Sequence, residues 1–389
     1  MNKYIFELGQ NHLLSIAELN EVLQNTPTFY TEKIAIYSLE KEIDEKNIQN
    51  KLGGTIKIMK VIGEIPYPNE KPEELTIYLN KNIETYFSNE HFDKNKIDFG
   101  ISIFNVKNHK YINIKSLLKN FKKFLKNSLN TSSRFVNIGY ENPKTATVYK
   151  AKLAEKGLDI NIVGEKENIL IAKGISIQNI DSYRLRDYEK PARDARIGML
   201  PPKLAQIMLN LAGNNANEIY DPFCGTGTII YEGMLMKKTM IGSDINAEMI
   251  KASKINCDFI QKKFNTISAK NIFLHDARKS FPKEIKNIDG VVSEGYLGPA
   301  ISQKPSTEKA NEYYLEIEKL YSIWLNNTKE IIKKDAKLVF CMPQYNTKIV
   351  HPLEKILKKT NLKLVGKYLY KRLDQQVGRL ICILENKSN

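Results

Sequence analysis

Cysteine is scarce in this chain of 389 residues: there are four, Cys224, Cys257, Cys341 and Cys382. None forms a CxxC pair, which excludes a zinc knuckle and a dithiol redox motif, and no metal is expected. Widely spaced thiols suit a reducing compartment, so a cytoplasmic protein is expected. Long apolar runs are missing as well. Nothing approaches the ~20 consecutive apolar residues of a membrane span. The opening MNKYIFELGQ lacks the apolar core and the cleavage site of a secretory signal, and no membrane partner is expected. There is no short-period repeat and no low-complexity tail. Acidic residues are in deficit, 44 Asp and Glu against 59 Lys and Arg, for a net charge of +15. That excess makes an acidic polymer the first partner to consider. A genome that writes lysine freely would give the same total, so the layout of the charge matters more than its sum.

The hydrophobic fraction, 42%, and the charged fraction, 26%, are ordinary for a globular protein, and the length allows two buried cores. Residues 1–174 mix short alternating strands, such as KYIFELG and DFGISIFNV, with amphipathic helices. LLSIAELNEVLQ has helical spacing, with Ser15 as the expected N-cap and Glu18 three residues on. In NIKSLLKNFKKFLKNSLN, Ile114, Leu118, Phe121 and Leu125 form one stripe. Lys115, Lys119, Lys122 and Lys126 form a second, rotated by ~100° from the first. Such a row can track phosphates or simply face solvent. Residues 175–202, rich in Arg, Asp and Pro, read as a linker. Residues 203–389 alternate strand and helix, which predicts a parallel sheet covered on both faces. Two closing strands joined through LDQQ predict an antiparallel hairpin at the sheet edge. The helix from Ala247 is expected to turn Met249, Ala252, Ile255 and Phe259 inward.

The stretch DPFCGTGTII, Asp221 to Ile230, sits at the carboxyl end of the first strand of that second region. Ligands bind at that end of such sheets. Gly225 and Gly227 allow a tight turn and a close approach, and the following helix points its free N–H groups at a negative group. The dinucleotide fingerprint needs a small residue where Ile230 stands, and Asp221 would repel a pyrophosphate. S-adenosylmethionine fits better: its carboxylate suits the glycine turn, and its positive charge suits Asp221. Asp244, ending the second strand, can accept the ribose hydroxyls. Asp276, after the third, can accept the adenine amine. Phe223, Thr228, Ile245 and Ala277, beside these residues, complete the expected cofactor contacts.

DPFCGTGT resembles the first cofactor motif of class I methyltransferases that modify RNA bases at amino groups. YIFELGQNHLLSIAELNEVL, LGGTIKI, SRFV and ATVYKAKL are similar to the ferredoxin-like and THUMP domains of tRNA guanosine-N2 methyltransferases of the position-10 type. YRLRDYEKPARD and GMLPPKLAQIMLNLA look like that family's linker and first helix. The resemblance spans nearly the whole chain. It implies an N-terminal ferredoxin-like plus THUMP α/β domain that grips tRNA, with the lysine row and Arg134 of SRFV as contacts. It also implies a C-terminal Rossmann-like methyltransferase domain that methylates a guanosine amine of the tRNA core. A monomer is expected.

The family's catalytic loop reads Asp/Asn-Pro-Pro-Tyr/Phe. Its first side chain and a proline carbonyl take the hydrogens of a weakly nucleophilic amine, and the aromatic ring stacks on the flipped base. Here the aligned residues are Ser293, Glu294, Gly295 and Tyr296. Tyr296 keeps the stacking role, and loss of the prolines predicts a less rigid loop. Glu294 is acidic and matches the N1–H and N2–H edge of guanine, so Ser293, Glu294 and Tyr296 are the catalytic candidates. Two other readings stay open: a tRNA-binding protein that has lost catalysis, and a methyltransferase for another RNA base or DNA adenine. Near the last strands, Arg372 and Arg379 line the RNA entrance or pair within the hairpin.

Overall fold

The computed structural model describes the chain except for residues 69–70, 93–95, 194–198, 300, 302, 346–348, 372–374 and 387–389. It forms two compact units. The first takes Met1–Asn50 and Gly54–Ile180, the second Lys51–Gly53 and Asp181–Asn389.

The first unit runs β1 (Asn2–Leu8), α1 (His12–Leu23), β2 (Phe29–Tyr30), β3 (Ile34–Leu39), α2 (Glu45–Lys51), β4 (Thr55–Pro66), α3 (Leu75–Tyr86), β5 (Lys96–Phe104), α4 (Ile114–Ser128), β6 (Ser132–Phe135), α5 (Thr145–Lys150), α6 (Leu153–Lys156), β7 (Leu158–Glu165) and β8 (Asn168–Ile177). Its eight-stranded sheet has the order β2-β3-β1-β4-β8-β7-β5-β6. All of its pairings are antiparallel except those of β5 with β6 and with β7. One core lies under α3 and α4, where Leu79, Phe87, Phe99, Phe121 and Leu125 are buried together.

α1 begins earlier than its sequence suggests. Asn11 is the cap, accepting from the Leu14 N–H at 3.2 Å. Ser15 lies inside the helix, and its hydroxyl donates to the Asn11 carbonyl at 3.0 Å. An Asn at the cap position satisfies the orphan first-turn donors as a Ser would, so the cap moves without loss. α4 is as amphipathic as its spacing predicts: Leu117, Leu118, Phe121 and Leu125 are buried, and Asn113 caps it through Ser116 N–H at 3.0 Å.

The second unit runs α7 (Ile180–Tyr188), α8 (Pro202–Leu211), β9 (Glu218–Asp221), α9 (Thr228–Leu235), β10 (Thr239–Asp244), α10 (Ala247–Phe264), β11 (Asn271–Leu274), β12 (Ile288–Ser293), α11 (Thr307–Lys329), β13 (Ile332–Tyr345), α12 (Leu353–Thr360), β14 (Leu362–Tyr370) and β15 (Val377–Asn386). The segment read as a linker carries the end of β8 and all of α7, and the buried Arg186 of α7 is ion-paired with the buried Glu232 of α9. The sheet has the order β11-β10-β9-β12-β13-β15-β14. β9 to β13 are parallel, and β15 and β14 are antiparallel at the edge. The chain crosses over between β11 and β12, so the order reverses between β9 and β12. That reversal opens a crevice at the carboxyl ends of the two strands.

Beneath the crevice, Trp324 and Tyr321 of α11 and Phe340 of β13 are fully buried and pack edge to face, with ring centroids 5.2 to 5.3 Å apart where Trp324 meets the other two. α10 differs from expectation by about one residue of rotation. Its buried face is Ile250, Ser253, Asn256, Cys257 and Ile260, while Ile255 is exposed. The inward polar residues have work to do. Asn256 donates to the Thr226 and Ala192 carbonyls at 2.9 Å each and accepts from the Ala192 N–H at 2.9 Å. Ser253 packs where a side chain on Gly227 would collide.

Candidate active site

The carboxyl ends of β9, β10 and β12 bring the acidic and glycine positions together. Gly225 and Gly227 adopt φ of 50° and 85°, the left-handed region that glycine enters freely. A Cβ on Gly225 would meet nothing within 4 Å, so this backbone borders open space, whereas one on Gly227 would strike Ser253. Gly227 caps α9, and among the described residues no side chain is bonded to the cap. The first-turn N–H groups of α9 therefore remain available to an anionic group.

Asp221 is almost fully buried, 1% exposed. Its Oδ1 accepts the Ser293 hydroxyl at 2.7 Å and the Phe223 N–H at 3.1 Å. Burial pushes its carboxyl up to about 7, against these bonds, which favour the charge. A cation in the crevice would therefore stabilise it. Asp244 holds the glycine turn: Oδ2 accepts from Gly225 N–H at 2.9 Å and Oδ1 from Asn246 N–H at 2.9 Å.

Two cavities share this wall. One, about 250 Å³, is lined by Asp221, Gly225, Thr228, Asp244 and Glu294 among others. The other, about 430 Å³, is lined by Pro222, His275, Asp276, Ala277, Leu320 and Ile323 among others. Phe223, Ile245 and Tyr296 border both. Together they have the volume of a small-molecule site, ~300–1,000 Å³. The larger cavity is the more apolar, with Ile245 61% exposed at its mouth, as a stacked heterocycle would need. Phe223 is anchored from below, 5.1 Å from the Trp324 ring. Asp276 is held in a fork by Arg278, at 2.7 Å from Nη2 and 2.9 Å from Nε, which keeps its carboxyl below the usual range. An incoming amine therefore shares Asp276 with a guanidinium. His275 lies between the Phe273 and Phe281 rings, and burial lowers its pKa, in keeping with a strand-end residue. Cys224 is buried, and burial drives its thiol well above the ordinary range, as packing and not nucleophilic chemistry requires.

The loop after β12 holds the catalytic candidates. Gly295 has φ of 67°, and a Cβ there would strike the Tyr321 hydroxyl. Its N–H donates to Ser293 Oγ at 3.2 Å. Tyr321 donates to the Cys341 carbonyl at 2.9 Å and lies 3.3 Å from the Tyr296 carbonyl, and Tyr345 donates to the Leu297 carbonyl at 3.1 Å. Two tyrosine hydroxyls thus constrain the loop that lacks prolines. Tyr296 remains 38% exposed at the junction of the cavities. Ser293 is fully buried, and its hydroxyl is directed to Asp221. Glu294 lines the smaller cavity, and its Oε1 accepts from Nε of Arg379 on β15 at 2.7 Å. Burial raises the Glu294 carboxyl, and the Arg379 charge pulls it back.

In the first unit, Lys115, Lys119, Lys122 and Lys126 are all exposed along α4, with the Lys115 ammonium 5.2 Å from the centre of the Tyr140 ring. Arg134 is forked onto Asp98, at 3.0 Å and 2.7 Å. Arg372 lies outside the described residues. Sequence reasoning missed Ser253 and Asn256, which fasten the glycine turn, and the tyrosine anchors of the Ser293–Gly298 loop. For Arg379 it left open an RNA entrance or a salt-bridged hairpin; the side chain is buried, 3% exposed, and ion-paired with Glu294 in the loop after β12. Polar residues on the inner face of α10 were the one signal for the first group.

A model of the RMKL-like methyltransferase domain matches residues 190–365, and a DNA methylase model matches residues 15–255. A probable tRNA (guanine(10)-N2)-dimethyltransferase of Methanothermococcus thermolithotrophicus is 33% identical over 141 residues, covering 36% of this chain and 78% of that protein. A tRNA (guanine(10)-N2)-dimethyltransferase of Methanocaldococcus jannaschii is 28% identical over 211 residues, covering 52% of this chain and 54% of that protein, about half its length. Among solved structures, TrmN from Thermus thermophilus matches over 99% of this chain and 100% of that one, with a TM-score of 0.55 at 12% identity, so the two share a fold.

Proposed function

This chain belongs to the family of the tRNA (guanine(10)-N2)-dimethyltransferases, and from that membership we propose that it transfers a methyl group from S-adenosylmethionine to a guanosine N2 amine of tRNA. The observation that supports this most directly is the pair of joined cavities at the β9–β12 crevice, walled by Asp221, Asp244, Phe223, Ile245 and Asp276. Bound there, S-adenosylmethionine supplies an electrophilic methyl group. The α9 N-terminus and Asp221 hold its amino-acid end, Asp244 its ribose, and the Phe223–Ile245 mouth its adenine. Glu294 accepts a hydrogen of the substrate amine and takes the proton that the amine sheds, and Tyr296 stacks on the base. Residues 1–174 act as the ferredoxin-like and THUMP part, with the α4 lysines on phosphates, and residues 203–389 as the catalytic domain. The protein works as a cytoplasmic monomer.

Methyl transfer to tRNA followed by nucleoside mass spectrometry tests the reading: wild type should form an N2-methylated guanosine, and Glu294→Ala should lose roughly 100-fold or more in rate, the scale of a positioned acid–base group. Full activity in that variant would remove Glu294 from the chemistry, and no product on any RNA would leave a tRNA-binding protein. The DNA methylase match favours a second reading, an exocyclic amine of DNA. The same assay with duplex DNA decides it.

Replacing Lys115, Lys119, Lys122 and Lys126 by alanine should weaken tRNA binding at all sequences and flatten the log–log salt dependence by about 3, since each phosphate contact contributes ~0.7–0.9. Filter binding at several salt concentrations measures it. A pH effect follows from Asp221. Its carboxyl is raised to about 7 in the folded protein from an ordinary value near 4, so the empty crevice favours the protonated form between those values. A cationic ligand needs the ionised form. Cofactor affinity should thus fall as pH drops below about 7, with a proton released on binding. Calorimetry in buffers of different ionisation enthalpy reads that proton, and Asp221→Asn should abolish it.

A further inference from the structure

The proposal rests on the role assigned to Glu294 above and concerns what sets the state of that side chain. Arg379 is 3% exposed on β15, and its Nε donates to Glu294 Oε1 at 2.7 Å across 85 residues of sequence. A guanidinium buried so deeply needs an anionic partner, and this one lines the cofactor cavity. Among the described residues the bond engages Oε1 of Glu294, which leaves Oε2 for a substrate hydrogen. Five ionisable groups face Glu294, four from separate elements and one from the segment after α7. They are Arg379, Lys190 beyond α7, Asp221 on β9, Tyr321 on α11 and Cys341 on β13. Of these only Arg379 and Lys190 are cationic, and Lys190 gives its ammonium to the Tyr231 hydroxyl at 3.1 Å. Tyr321 and Cys341 are buried and stay neutral, and Asp221 is an acidic neighbour that disfavours a second charge. Arg379 is the one of these groups bonded directly to the carboxylate.

We propose that Arg379 is the positioning residue of the transfer site: it aims Glu294 into the cavity and keeps it a carboxylate at neutral pH. The loop then works without the asparagine or aspartate of the family pattern it resembles because β15, four positions away in the sheet order from β10, supplies the fixed charge. A proton acceptor in a buried crevice is useful only while ionised. Removing the guanidinium leaves burial opposed only by the Lys190 charge, so Glu294 should hold its proton to higher pH.

The test uses the full-length protein with glutamate labelled by ¹³C at the side-chain carboxyl. The Glu294 resonance is identified by its absence in Glu294→Gln. In Arg379→Gln it should titrate at least about one pH unit higher than in wild type, a tenfold change in proton affinity. The acid limb of the single-turnover rate of methyl transfer should move up by the same amount. Arg379→Lys should restore most of both shifts, and S-adenosylhomocysteine affinity should stay within about threefold in each variant. An unmoved Glu294 titration in Arg379→Gln, or a rate loss uniform in pH, overturns the proposal. Should Arg379→Gln fail to fold, as read by circular dichroism, the Arg379 Nε–H proton resonance of wild type decides. It should move with the Glu294 titration and shift to the solvent-exposed range in Glu294→Gln, and indifference to both overturns the proposal. A Glu294→Gln enzyme with wild-type rate would instead remove the catalytic role of Glu294, while the carboxyl titration still reports on Arg379.

Discussion

Asp244→Ala should abolish measurable S-adenosylhomocysteine binding, a loss of roughly 10² to 10⁴-fold. Two effects combine. The variant removes the acceptor proposed for the ribose hydroxyls, and hydrogen bonds to a charged acceptor contribute ~1.5–3 kcal/mol each. It also releases the Gly225 and Asn246 N–H groups that Asp244 holds at 2.9 Å each. The glycine turn, already in the left-handed region, would lose its fastening at the moment it is asked to approach a ligand. Asp244→Asn keeps one acceptor oxygen for one of these bonds and should fall between wild type and Ala. Isothermal calorimetry ranks the three proteins. Equal affinity in all three would move the adenosine out of this crevice.

Gly295→Pro, which writes a family proline back into the loop, should damage the protein. Proline is locked near φ −65°, and Gly295 stands at 67°. The change also deletes the N–H that donates to Ser293 Oγ at 3.2 Å and pushes atoms toward the Tyr321 hydroxyl. Forcing the loop to re-form should cost about 3 kcal/mol or more. For a domain of this size that lowers Tm by ~6–12 °C, measurable by scanning calorimetry. Methyl transfer should drop with it by roughly 100-fold, because Tyr296 and Glu294 flank the altered backbone. A proline variant of native stability and rate would show that this loop takes the family's path after all.

These two positions mark what the sequence could and could not disclose. The alternation of strand and helix from Pro202 onward, the glycine turn and the three strand-end aspartates carry local signatures of period, conformation and charge, and the structure gathers Asp221, Asp244 and Asp276 around the joined cavities. The edge hairpin of β14 and β15 was legible for the same reason. The turn of α10 was misjudged because hydrophobic periodicity assumes that polar residues face water, and here Ser253 and Asn256 are buried to hold the loop. The bonds that organise the Ser293–Gly298 loop span 72 residues from Ser293 to Asp221 and 85 from Glu294 to Arg379. A contact between residues so far apart leaves no mark on the pattern of either neighbourhood.

The Ser293–Asp221 bond limits which descendants this sequence can have. An aspartate at 293 would set two carboxyl groups side by side at a fully buried point, where they must share one proton. Such a chain reaches neutral pH with one of its acids silenced, and either its grip on a cation or its newly gained acceptor is forfeited. The serine is thus the residue that lets the buried aspartate remain a lone acid.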